Sequence, residues 1–361
     1  MMSEQPHITS RKEDHILLCA EGEVESRQKT TLLEEVELLH DALPEVAVEG
    51  VGLETQVFGK RLKAPLLITG MTGGAPRAAV INRELAEVAE ALGVAFGVGS
   101  QRAMLKHPEL GQTYRVRDVA PGVLLFGNIG AVQAAQMTSA QLEDLVGAIG
   151  ADALCIHLNP GQELIQPEGD RDFRGCLDAI AQHNDTLKIP LILKETGCGL
   201  SPRTLDKIKA SGVKWVDVSG AGGTTWIGVE ALRTPPDRRT MGELLWDWGV
   251  PTAASILYAR RRGLNTIASG GLRNALDAAK ALSLGATLAG MALPWLRAHH
   301  EAGAAGALKY GEGLIYTLRA ICTLTGAKSA AELSLLPKII GPRLERWSTQ
   351  DPHFYTQKTL I

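Results

Sequence analysis

Polar and charged side chains recur at the ends of short apolar runs along this chain, several of them spaced as chemistry requires. His157, Asn159, Gln162 and Glu163 stand within HLNPGQE at 157–163, directly after an apolar run. Glu163 follows the helix-breaking Pro160-Gly161; one carboxylate there, with phosphate oxygens and waters, suits magnesium, and a solvated glutamate is the alternative. His157 reads either as a hydrogen-bonded core histidine or as a donor to a phosphate. Lys194 ends the apolar run PLILK, so its ammonium faces a bound anion or, as a snorkelling lysine, pairs with Glu195. The loops Ser269-Gly270-Gly271-Leu272-Arg273-Asn274 and Gly290-Met291-Ala292, together with Gly222-Gly223-Thr224 before them, point to phosphate binding. Glycine lets the backbone approach the oxygens, and the start of the next helix offers free N–H groups and a positive dipole end. Taken singly, each loop reads equally well as a tight turn. The run Arg11-Lys12-Glu13-Asp14-His15 is by default a solvated terminus.

These residues need a scaffold, and the chain supplies a regular one. From Ala64 onward, APLLITG, VAFGVGS, VLLFGNIG, ADALCIHLN, PLILKET, WVDVSGAGG, NTIASGG and ATLAGMA alternate with helix-length segments. Helices are expected over 78–92, from Thr138 or Ser139, over 274–284 and from Pro294. Eight alternating units predict an α/β protein with a (β/α)8 TIM barrel, with an open doubly wound sheet as competitor. In a barrel, strand ends and the loops after them form the active face. Those ends carry Gly70-Met71-Thr72, Ser100-Gln101-Arg102, Asn128 and Ser219 through Thr224 as well. Residues 1–63 form an N-terminal extension in which VGLETQVFGKRL predicts a hairpin capping the barrel floor. The barrel is assigned to 64–345, with 308–345 helical apart from breaks at Gly326 and Pro337. Residues 346–361 are read as a flexible or contact-making tail.

Composition limits the function classes. The 361 residues are 45% hydrophobic and 21% charged with a formal net charge of -3, so no overall basic field favours nucleic acid or an anionic membrane. Glycine at 39 residues and aromatics at 4% argue against an aromatic-rich sandwich. Cysteines 19, 155, 176, 198 and 322 form no CxxC pair, which fits a reducing cytoplasm. No stretch of 18 apolar residues predicts a membrane span.

The ordered set RKEDH at 11–15, MTGG at 71–74, GSQR at 99–102, NIG at 128–130, HLNPGQE, PEGDRDF at 167–173, KETGCGLS from 194, SGAGGTTW from 219 and SGGLRN from 269 resembles the type 2, flavin-dependent isopentenyl-diphosphate isomerase family over nearly the whole chain. The resemblance implies an enzyme of isoprenoid biosynthesis that interconverts isopentenyl and dimethylallyl diphosphate by a 1,3-allylic proton shift. It implies reduced FMN, magnesium and NADPH as reductant. Arg11, Lys12, His15, Arg102, His157 and Asn159 are then expected around the diphosphate, Gln162 beside the allylic carbons, and Glu163 on magnesium. Gln162, His157 and Lys194 are the catalytic candidates; Trp226 and Glu230 are expected at the border of the substrate or of a neighbouring subunit. Gly70, Met71, Thr72, Ser100, Asn128, Lys194, Ser219 and Thr224 are expected on FMN, with its phosphate on Gly271, Leu272, Arg273, Ala292 and Leu293.

Two other readings compete. A 2-hydroxy-acid oxidase would share the phosphate loops but needs a base histidine late in the barrel, and no histidine lies between His183 and His299. A phosphate-binding barrel without catalysis would be colourless and inactive. Barrels of this kind usually self-associate through symmetric contacts, so a homo-oligomer, tetramer or octamer, is expected.

Overall fold

Eight short strands, almost wholly buried, follow one another at helix-length intervals in the computed structural model, which describes residues 5–235 and 239–353. They are β1 (Leu66–Ile68), β2 (Ala95–Gly97), β3 (Leu125–Gly130), β4 (Ala153–Leu158), β5 (Leu191–Glu195), β6 (Trp215–Asp217), β7 (Asn265–Ala268) and β8 (Leu288–Met291). Each pairs in parallel with the next, and β8 returns to β1 through Ala289↔Leu66, so the sheet closes. Closure excludes the open doubly wound competitor; this is a (β/α)8 barrel. Continuous apolar runs are what strands covered on both faces require.

The floor of the barrel is plugged. Thr55–Val57 and Lys60–Leu62 form the expected hairpin, turning at Phe58 and Gly59, both at positive φ. Val57 and Leu62 join Leu67, Ala95, Phe126, Cys155 and Ile192 in one buried cluster, and the Phe58 ring lies 4.7 Å from that of Trp215. Side chains alternate along a strand, so two residues beyond Phe126, Cys155, Ile192 and Trp215 the interior positions are Asn128, His157, Lys194 and Asp217. Register sets the last three abreast, His157↔Lys194 and Lys194↔Asp217. Apolar floor and polar mouth thus follow from one periodicity.

Helix Pro76–Leu92 starts at a proline and stops at Gly93 (φ 67), and Ser139–Gly147 is entered through a capping box between Thr138 and Gln141. The reading of 308–345 as helical is corrected. One helix spans Leu293–Leu324 with a break at Ala302 and Gly303, and Lys338–Ile340 is a strand pairing antiparallel with Val36–Leu38. The β-branched pair Ile339-Ile340 finds its partner some 300 residues away, which local periodicity does not report. Among the described residues no helix is long and apolar enough to cross a membrane.

Helix Pro342–Thr349 leads to Asp351, which is 1% exposed and accepts hydrogen bonds from Arg262 Nη1 and Nη2 at 3.0 and 3.1 Å. Arg261 adds a bond at 3.4 Å. The start of the tail therefore makes contacts, while 354–361 lie outside the described residues. Asp351→Ala strands two largely buried guanidinium groups without this counter-charge. Unfolding free energy from a urea titration is expected to fall by about 3–5 kcal/mol, and a change under 1 kcal/mol would show the pair to be dispensable.

Candidate active site

Two adjoining chambers open at the C-terminal ends of the strands, one of about 600 Å³ and one of about 90 Å³. They share a wall made by Lys12, His15, Gly70, Met71, Lys194 and Trp226. The run Arg11–His15 is no loose terminus. It belongs to helix Gln5–Glu21, which packs against Trp226–Arg233 and Leu293–Leu324 and buries Ile16 and Cys19 on the face that carries Lys12 and His15.

The larger chamber brings together Arg11 and Lys12 from that helix, Ser100 and Arg102 after β2, Asn128 on β3, and His157, Asn159, Gln162 and Glu163 at and after β4. Lys106, Gln133 and Arg233 line it too and escaped the sequence reading, although each stands three or four residues past Arg102, Gly130 or Glu230. The smaller chamber gathers Thr72, Ser219 and Thr224, then Gly271, Leu272 and Arg273 after β7, and Ala292 and Leu293 after β8. Glu230 lines neither. It is fully buried behind the wall, where its Oε1 accepts from His15 Nε2 (2.9 Å) and Gln162 Nε2 (3.0 Å) and its Oε2 from Arg233 Nη1 (2.7 Å). As placed, it meets the residues that face the chamber rather than the chamber itself.

Several alternatives left open by the sequence now resolve. Glu163 is 6% exposed, not a solvated glutamate, and each carboxylate oxygen is anchored: Oε1 by Asn159 Nδ2 (2.9 Å), Oε2 by the Asp170 N–H (2.7 Å). Lys194 does not pair with the Glu195 carboxylate. Consecutive strand residues point to opposite faces; Glu195 Oε2 turns outward to the N–H groups of Thr196 (2.6 Å), Cys198 (2.5 Å) and Gly199 (3.1 Å). Lys194 Nζ instead donates to the Glu195 carbonyl (2.6 Å) and lies 4.0 Å from Asp217. Burial pushes the Glu195 carboxyl up to about 7.

The larger chamber is a desolvated cationic site. Burial, with Arg11 and Arg102 nearby, lowers Lys12 to about 8 despite Glu230. Burial, Lys194, Lys12 and Arg102 lower His157 to about 3, so its imidazole is neutral near pH 7. Asn128 Nδ2 donates to the Val98 carbonyl (3.2 Å), leaving its Oδ1 to accept from His157 Nδ1 at 2.9 Å. His157 Nε2 therefore carries a lone pair, and donation to a phosphate from there requires a proton first.

In the smaller chamber, Gly270 and Gly271 adopt φ of 92 and 79, and a Cβ on Gly271 would meet Thr31 at 2.3 Å. The first turn of Leu293–Leu324 faces the same space. Thr72 Oγ1 and, beside the larger chamber, Arg11 Nε are buried without a protein partner, as groups awaiting a ligand would be. The third glycine loop differs from expectation. Gly222 (φ 110) packs on the backbone of Thr30 and Thr31, and Gly223 on that of Gly271, so only Thr224 faces the chamber.

A family model described as FMN-dependent dehydrogenase matches residues 158–336. An isopentenyl-diphosphate delta-isomerase from Methanothermobacter thermautotrophicus is 43% identical over 345 residues, covering 95% of this chain and 96% of its own. One from a Synechococcus species is 48% identical over 293 residues, 80% of this chain and 84% of its own, and one from Pyrococcus furiosus 39% identical over 97% and 91%. A solved mandelate oxidase variant with an FMN adduct superposes with a TM-score of 0.61 at 16% identity over 94% of this chain and 100% of its own, a likeness of fold.

The lowered Lys12 gives a pH test. Its ammonium loses the proton as pH rises through about 8, so calorimetric affinity for inorganic pyrophosphate is expected to drop between pH 7 and 9, and Lys12→Arg to flatten that limb. A wild-type affinity independent of pH over this range would remove Lys12 from the anion site.

Proposed function

Since the chain belongs to the isopentenyl-diphosphate delta-isomerase family and is an FMN flavoprotein isomerase, we propose that it interconverts isopentenyl and dimethylallyl diphosphate with reduced FMN and magnesium. The observation that carries this is the shared wall: a glycine-lined phosphate cradle and a cation-lined chamber meet at Gly70, Met71, Lys194 and Trp226. A planar cofactor anchored by its phosphate at Gly271, Leu272, Arg273, Ala292 and Leu293 would there face a substrate anchored by its diphosphate. The unpartnered Thr72 hydroxyl and the glycine cradle fit FMN, with Ser100, Asn128, Lys194, Ser219 and Thr224 as further contacts.

Reduced FMN, when bound, supplies an electron-rich ring able to exchange a proton with the alkene and to stabilise positive charge developing on it. The chain's own residues hold the substrate to that ring. Arg11, Lys12, Arg102 and Asn159 bind the diphosphate, with His15 beside them. Gln162 is fixed from two sides, its Nε2 donating to Glu230 (3.0 Å) and its Oε1 accepting from Asn159 (3.2 Å), which suits orienting the allylic unit. His157, neutral and tied to Asn128, keeps a lone pair on Nε2 at the edge of the anion site. Glu163, with both oxygens anchored, would offer a hard oxygen ligand for magnesium, which would neutralise charge on the diphosphate beside it. NADPH is the proposed reductant.

The reading extends to a cytoplasmic homo-oligomer. Free thiols at Cys19, Cys155, Cys176, Cys198 and Cys322 suit a reducing compartment. Leu244 and Trp248, at 82% and 63% exposed, suit a face covered by another copy.

Anaerobic incubation of isopentenyl diphosphate with the protein, FMN, magnesium and NADPH is expected to yield dimethylallyl diphosphate; no product with flavin bound and reduced would overturn the reading. One carbon gains a proton and another loses one, with no net electron transfer. A single reduction should therefore serve many turnovers, and NADPH oxidation in proportion to product would favour an oxidoreductase instead. Glu163→Gln is expected to cut activity about 100-fold or more through a misplaced diphosphate and to raise the magnesium concentration giving half-maximal rate, while FMN affinity stays unchanged. A wild-type magnesium profile in that variant would take Glu163 out of the metal site.

A further inference from the structure

The segment PEGDRDF at 167–173 enters the chemistry above only through the Asp170 N–H on Glu163, yet it closes against the larger chamber. Asp170 is its hub. Its Oδ2 accepts from Gln133 Nε2 at 2.8 Å and from Arg102 Nη1 at 3.4 Å, and its N–H donates to Glu163 Oε2 at 2.7 Å. Those three partners come from the short helices after β3, β2 and β4, and all three line the chamber. The segment is itself stitched down on either side of Asp170. Arg171 donates to the carbonyls of Glu163 and Gln166, and Gly169 lies so close to the Glu163 carbonyl that a Cβ there would sit 2.0 Å from it.

From this geometry we infer that Asp170 is a positioning residue: it aims Arg102 and Gln133 into the anion site and locks the Glu163 carboxylate in the orientation that receives the metal. The inference rests on the isomerase reading. Arg102 has five N–H donors, so one spent on Asp170 leaves the rest for a diphosphate. A guanidinium held by a carboxylate has fewer side-chain conformations to give up on binding. The Asp170 charge also offsets repulsion between Arg102 and its cationic neighbours Arg11 and Lys12 while no anion is bound. The opposite effect, a carboxylate repelling the incoming diphosphate, predicts the opposite sign of the test.

The test is anaerobic steady-state kinetics with isopentenyl diphosphate, magnesium and, to reduce the flavin, NADPH on the FMN-loaded protein, comparing wild type, Asp170→Ala and Asp170→Asn. Asp170→Ala removes the carboxylate from Arg102 and Gln133 but keeps the backbone N–H on Glu163, so it is expected to raise the KM for isopentenyl diphosphate about 10-fold or more, as loss of an outer partner does at such sites, with a smaller change in the half-saturating magnesium concentration. FMN affinity and melting temperature should match wild type. Asp170→Asn keeps an acceptor oxygen for Gln133 and should show a smaller rise of the same kind, which decides the matter where Asp170→Ala does not fold. Adding Asp170→Ala to Arg102→Ala should raise KM little beyond Arg102→Ala alone. A KM that is unchanged or lowered in the folded variants would overturn the inference; an inactive wild type would overturn the isomerase reading instead.

Discussion

Glu230 sits with no solvent exposure at the junction of three elements, and a carboxylate in that position must be matched by donors or protonated. Burial alone would raise it, yet the bonds from His15 and Gln162 and the charge of Arg233 hold it down to about 2. His15 is itself shifted down by burial and meets Glu230 through Nε2 at 2.9 Å. Meeting this one charge fixes where the N-terminal helix lies, since His15 comes from that helix, and where Gln162 points. Trp226, edge-on to His15 at 5.1 Å, completes the wall between the chambers. The placement of Arg11 and Lys12, one turn before His15, follows from the same contact.

The rest of the site balances charge in the opposite sense. Arg11, Lys12 and Arg102 converge with partial desolvation, a cost visible in the lowered Lys12 and His157 and relieved by a bound polyanion. Carboxylates at the rim temper the field without filling the seat: Glu168 lies 3.3 Å from Arg11, and Asp170 holds Arg102. Deeper in the barrel, Asp217 is held by Ser269 at 2.5 Å and lies near Lys194. Mouth and depth thus carry separate charge pairs.

Most of the barrel was legible because its strands are continuous apolar runs ending in glycine and polar residues, and because period-two alternation places His157, Lys194 and Asp217 inside once the floor is known. Lys338–Ile340 was not, since its identity as a strand depends on Val36–Leu38 at the far end of the chain. Chamber-facing residues at strand ends were found, but Arg11, Lys12 and His15 came only from the resemblance, and Lys106, Gln133 and Arg233 escaped, as did the residues behind them. Glu230 was expected at the border of the substrate or of a neighbouring subunit from the family resemblance alone, which does not say that three donors draw it inward. Gly222 and Gly223 resembled phosphate-loop glycines by type and serve close backbone packing, a distinction that only the neighbouring segment 30–31 reveals.

The central claim is that two anions, one from the cofactor and one from the substrate, occupy separate seats on either side of the wall formed by Gly70, Met71, Lys194 and Trp226. A crystal structure of the protein with FMN, magnesium and inorganic pyrophosphate measures this directly. The account predicts the flavin phosphate on Gly271 and Leu293, pyrophosphate among Arg11, Lys12 and Arg102, and the metal on Glu163. Flavin phosphate in the larger chamber, or pyrophosphate in the glycine cradle with FMN present, would contradict it.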